Sequence, residues 1–143
     1  MWRKLKRAAG IFRAVGNDCQ GNVILIMAAS LVPILAAVGG AVDLARVYTA
    51  DQRLQQATDS AVLAGRKVMV NNDVETARDA VYNFLVANYP NGIFQSYNLP
   101  SKSGLDLRVD GQGELSLRVN TTVPTQVMSI FGFETIAISA SSA

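Results

Sequence analysis

The chain contains no histidine and a single cysteine, Cys19. Without imidazole the most frequent general base is missing, and one thiol closes no internal disulfide. No cluster of His, Cys, Asp and Glu recurs at metal-ligand spacing, so neither a metal nor another cofactor is expected. Ser101, Ser103 and Ser129 fall in turn-like segments with no base that sequence can name. Gly111-Gln112-Gly113 lacks the strand-to-helix setting of a dinucleotide loop. These absences point away from an enzyme. Charge is also missing, entirely, from residues 23–42, VILIMAASLVPILAAVGGAV. At ~1.5 Å per residue such a run is about 30 Å long, the thickness of a bilayer's hydrocarbon core.

What is present is arranged around that run. Arg3, Lys4, Lys6, Arg7 and Arg13 precede it against Asp18 alone, so the first twenty residues carry +4 of a total of +2. The chain after residue 42 is correspondingly acidic. Basic residues close to a span are retained on the cytoplasmic side, so these five set the topology: tail inside, remainder outside. The tail is explained by this role without a nucleic-acid partner. Leu5, Phe12 and Val15 recur at helical spacing there, and two readings fit: a short amphipathic helix on the membrane surface with Trp2 at headgroup depth, or a disordered basic tail. The apolar run is longer than the ~7–15 residues of a cleaved signal and passes into helix-forming sequence, so a retained anchor is expected. Pro33 should kink it, and Gly39-Gly40 would admit a neighbouring helix closely.

Beyond the run, Val47, Ala50, Leu54, Ala57, Ala61, Ala64 and Val68 follow steps of three and four, a narrow seam along one helix face. Residues 62–70 lie nearest the following domain, whereas 47–57 read as too far out to cover it. Pro33, Gly39, Gly40, Val47, Ala50, Leu54 and Ala57 are therefore assigned to membrane or partner-helix packing. Bulky residues at Ala50 and Ala57 should then impair assembly and spare the domain's stability. Asp43 and Arg46, three apart, are expected to pair at the membrane boundary. Whether the seam faces a partner or the protein itself is left open by the pattern.

The rest reads as a small mixed domain. Asn72 as N-cap, with Glu75 at the third helical position, opens a second helix that runs to Asn88 and stops at Pro90 and Asn91-Gly92. Period-two alternation then predicts a hairpin in which Leu107 opposes Leu117, Val109 opposes Leu115 and Asp106 opposes Arg118, closed by Gly111-Gln112-Gly113. A helical turn over 125–131 ends at Gly132, a third strand covers 133–140, and 93–97 is expected as a short edge strand. The fold class is α+β: a long N-terminal transmembrane helix extending into a small domain with a second helix and a small antiparallel sheet, a pilin-like lollipop. Its divisions are a basic tail (1–20), a transmembrane helix (21–42), a helical stem (43–70) and the outer domain (71–143).

Gln20-Gly21-Asn22-Val23, the apolar run with Pro33, Gly40-Ala41-Val42-Asp43, and then Arg46, Tyr48, Leu54, Gln55, Ala57, Asp59, Ala61 and Ala64 resemble the N-terminal region of the TadE/TadG-like proteins of the Flp (Tad) pilus assembly system. Val123-Pro124-Thr125, Phe131-Gly132 and residues 136–140 look like the end of the same module. The resemblance implies a bacterial inner-membrane protein with a periplasmic domain, a minor pilin-like or assembly component of a tight-adherence pilus. Its partners would be other Tad/Flp assembly proteins and the inner-membrane platform, the lipid bilayer, and further copies of itself. Family members cut by prepilin peptidase carry glutamate five residues past the cleavage glycine. Here that position is Gly21 counted from Gly16, or Ile26 counted from Gly21, so a TadG-like uncleaved anchor without a von Willebrand-type domain is implied. A second function also fits the residues: an anchored periplasmic module binding a ligand or the cell wall in a groove lined by Tyr82, Tyr89, Phe94 and Tyr97.

Overall fold

The computed structural model describes residues 22–71 and 73–143. The chain divides into two compact units, Met1–Val38 and Gly39–Ala143. The basic residues Arg3, Lys4, Lys6, Arg7 and Arg13, the amphipathic reading of the tail and Cys19 all lie outside the described residues.

Helix α1 spans Asn22–Val68, 47 residues, and its assignment continues through Pro33. In the first unit its large apolar side chains are exposed without exception, among them Ile24, Leu31 and Leu35. Apolar on all sides and left uncovered by the other described residues, the helix is long and apolar enough to cross a bilayer.

In the second unit, α1 becomes one-sided. Ala50, Leu54, Ala57, Ala61 and Val62 are buried in the core while Tyr48 and Leu63 stay exposed. Arg66 and Lys67 in the last turn oppose the negative end of the helix dipole, and Asn71 leaves the helical region at φ 52°. Helix α2, Val74–Asn88, opens at Asp73, whose carboxylate accepts from the Glu75 amide at 3.0 Å. The N-cap is thus Asp73; Asn72 lies outside the described residues, and Glu75 stands too early for a capping box. Ala77, Val81 and Leu85 form its buried face. At Gly65 the two helices and the sheet meet closely: a Cβ built there would lie 2.4 Å from Val81 and 2.9 Å from Leu115.

The sheet is an antiparallel meander, β1 (Asp106–Val109), β2 (Leu115–Pro124) and β3 (Thr135–Ser142), in the order 1-2-3. The expected hairpin register holds, with Leu107 opposite Leu117, Val109 opposite Leu115 and Asp106 opposite Arg118. Asp110 and Glu114 close the loop, Gly113 takes φ 82°, and the Asp110 carboxylate accepts from the amides of Gln112 and Glu114. Asp106, however, pairs with Arg108 on its own strand at 2.8 Å instead of with Arg118 across the ladder. Both are exposed, so the pair contributes little. Leu115, Leu117, Val119 and Val123 on alternate positions of β2 face the helices.

Two further expectations change in detail. The third strand begins and ends two residues later than predicted. Residues 93–97 are not a strand: Ile93–Gln95 is a 3-10 turn in which Phe94 and Gln95 have positive φ, followed by a single bridge from Tyr97 to Thr122. Left-handed residues cannot extend a ladder, and Phe94 instead lies against the core with the Arg53 guanidinium 5.9 Å from its ring centre.

Candidate functional site

The part of the second unit that sequence did not anticipate is the junction between the last residues of the apolar run and the β2–β3 connection. After Pro124 the chain turns through a 3-10 helix, Met128–Phe131, and Gly132 at φ 88° brings it back to β3. The turn is closed by its own backbone. Phe133 N–H donates to the Met128 carbonyl at 3.1 Å, Thr125 N–H to the Glu134 carbonyl at 2.9 Å, and the Thr125 hydroxyl to the Phe133 carbonyl.

Asp43, the first charged residue after the run, binds the start of this turn. Its Oδ1 accepts from the Gln126 amide at 2.9 Å, and its Oδ2 from the amides of Val127 and Met128 at 2.8 Å each. Only 1% of its surface is exposed. Three consecutive N–H groups at the head of a helical turn form a nest for an anion. The hydrogen bond from Met128 is the strongest influence on the carboxyl, and with those from Gln126 and Val127 it outweighs burial and holds the pKa below the usual aspartate value. Arg46 adds only a weaker, longer-range pull in the same direction. The expected Asp43–Arg46 ion pair is therefore replaced by a carboxylate-to-backbone cap, because fixed amide dipoles reach both oxygens directly. One turn earlier, Gly39 has no side chain because Val127 occupies the space: a Cβ there would sit 2.3 Å from Val127 Cγ1. Gly40 faces open space.

The other predicted packing residues separate in the same way. Pro33 is exposed. Ala50, Leu54 and Ala57 are buried in the domain's own core, and Val47 packs against it. Their assignment to a partner helix is corrected: the stem's seam is taken up by the chain's own sheet and second helix. The aromatic groove does not form as a groove either. Tyr89 is fully buried, and Tyr82 and Phe94 are packed on the core, leaving Tyr97 as the exposed member. Burial raises the Tyr89 pKa, and its hydroxyl has no hydrogen-bond partner among the described residues. Among those residues no three His, Cys, Asp or Glu side chains come together as a metal site.

Sequence reasoning missed Val127, Gly65 and the role of Asp43. The only signal for the last was an isolated carboxylate at the end of an apolar run. Its donors are main-chain amides more than eighty residues away, which no residue identity announces.

Helix and domain together define a class, a small α+β domain whose core helix is the outer part of an apolar helix long enough to cross a membrane. Residues 21–79 match the model of the Flp pilus-assembly TadE/G-like family, and that segment is similar to it. The match takes in α1 with Asp43 and the start of α2, and ends before the sheet and the turn that Asp43 binds. Among curated proteins and solved structures, none matches the chain.

Proposed function

We propose that this chain is a membrane-anchored minor pilin-like or assembly component of a Flp/Tad pilus system, held in the bacterial inner membrane with its basic tail in the cytoplasm and its α+β domain in the periplasm. Residues 1–20 form the tail, 21–42 the span, 43–70 the stem and 71–143 the outer domain. It acts without catalysis, by lateral packing of its span against other assembly subunits, the secretion platform or further copies. The observation that carries this reading is the coincidence of the family match with a helix whose large apolar side chains over residues 23–38 are left exposed by the rest of the described residues. The burial of Ala50, Leu54 and Ala57 moves the proposed contact into the span itself, where Gly40 leaves an open approach. The binding-module reading loses its main support with the burial of Tyr89.

A photoreactive residue placed at Leu35 in cells producing the whole pilus system should cross-link to platform or pilin proteins, identified by mass spectrometry. The same probe at Leu63, exposed on the outer half of α1, should give fewer such adducts. Cross-links confined to lipid at Leu35, together with unchanged piliation on deletion of the gene, would overturn the reading.

A further inference from the structure

Residues 126–133, QVMSIFGF, carry no charge, and the turn they form exposes Ile130 by 78%, Phe131 by 57% and Phe133 by 62%. Three large apolar side chains displayed by one short turn are costly in water, about 25 cal/mol for each Å² left uncovered. The turn is also well built: main-chain hydrogen bonds close it at Ile130, Gly132 and Phe133, and Asp43 clamps its first three amides. The exposure is therefore held in place by the fold.

Its position says what covers it. Val127 packs on Gly39, which precedes Asp43 by four residues and lies inside the uncharged run. Four residues of helix rise ~6 Å, comparable with the headgroup layer of a bilayer, roughly 5–8 Å on each side. If residues 23–42 occupy the hydrocarbon, the turn bearing Ile130, Phe131 and Phe133 stands at the depth where the lipid headgroups meet the acyl chains. Aromatic side chains are favoured at that depth. Asp43 is tolerated there because its charge is met by three amides instead of being left to hydrocarbon.

We propose that the β2–β3 turn is a second membrane contact, a lipid-inserted foot in which Ile130, Phe131 and Phe133 enter the outer-leaflet interface. The occupant is the lipid surface, and the proposal rests on the reading of residues 23–42 as a span. Depth-dependent fluorescence quenching tests it in the full chain. With Trp2→Phe as background, single tryptophans are introduced as Phe131→Trp, Phe133→Trp, Leu35→Trp and Leu63→Trp, and each protein is reconstituted in phosphatidylcholine vesicles with or without brominated acyl chains. Retention of the parent's melting temperature qualifies each variant. Brominated lipid should quench the tryptophans at 131 and 133 several-fold more than the one at 63, and shallow bromines should be more effective than deep ones. Quenching at 35 without quenching at 131 and 133 overturns the foot and leaves the span intact. A blue-shifted emission at 131 that bromine does not touch means that a second copy or another subunit covers the turn, and also overturns it. Absence of quenching at 35 as well removes the span and the foot together.

Discussion

At the scale of single residues, Asp43 is the most consequential side chain, because three main-chain amides are satisfied by its two oxygens. Asp43→Asn keeps the volume but turns an –NH2 toward amide donors, so the melting temperature should drop by several degrees, and Asp43→Ala should lower it further; thermal denaturation of the detergent-solubilised protein measures both. The folded-state pKa lies below the ordinary value of 3.8. A depressed pKa contributes stability that is complete above the unfolded value and disappears as pH falls through the folded one. The contribution of this group should thus be complete and independent of pH near neutrality and be lost as pH falls below about 4, with a shallower acid slope in Asp43→Asn; equal slopes would contradict the cap. Asp43 itself was legible as a boundary residue, whereas its partners were not. A side chain announces its own chemistry, but backbone donors look alike at every position.

At the scale of elements, the glycines of α1 distinguish packed from open surface. Gly39→Ala forces a methyl group into the stiff, branched Val127, and Gly65→Ala does the same toward Val81 and Leu115. Overpacking of this kind costs ~1–3 kcal/mol, against which the gain in helix propensity is at most about 1 kcal/mol. A domain of this size shifts by roughly 4–8 °C per kcal/mol, so both variants should melt measurably lower. Val127→Ala should restore only part of the loss in Gly39→Ala, since the Val127 Cβ itself would lie 2.7 Å from the new methyl group, while Gly40→Ala should leave the melting temperature unchanged or raise it. Ala57→Leu belongs to the same test. The helical spacing assigns this residue to a seam that partners use, with the domain's stability unaffected, yet it is 1% exposed within the domain's own core. The variant is expected to destabilise the domain by ~1–3 kcal/mol, read by the same denaturation. The heptad pattern was correct about which face is apolar and silent about what lies against it, since a seam of alanines serves a sheet as well as a helix.

At the scale of the whole molecule, a run without charge at one end and a TadE/G-like segment over residues 21–79 meet in one long helix. If that helix is a permanent anchor, protein purified from membranes should keep the residues before Gly21; a mass or N-terminal sequence showing cleavage beside Gly16 or Gly21 would instead make it a releasable subunit. The apolar run, the second helix, the hairpin register and the α+β class were determined by sequence alone, because periodicity and turn chemistry act between residues close along the chain. The structure decided that residues 93–97 turn instead of pairing as a strand, with positive φ at Phe94 and Gln95 and the Phe94 ring packed on the core. It also decided that the stem's seam is internal and that Gly39 seats Val127. It placed Asp43 on amides 83 to 85 residues away. Such contacts depend on which surfaces remain uncovered after the helices and sheet have packed, and local pattern carries no record of that.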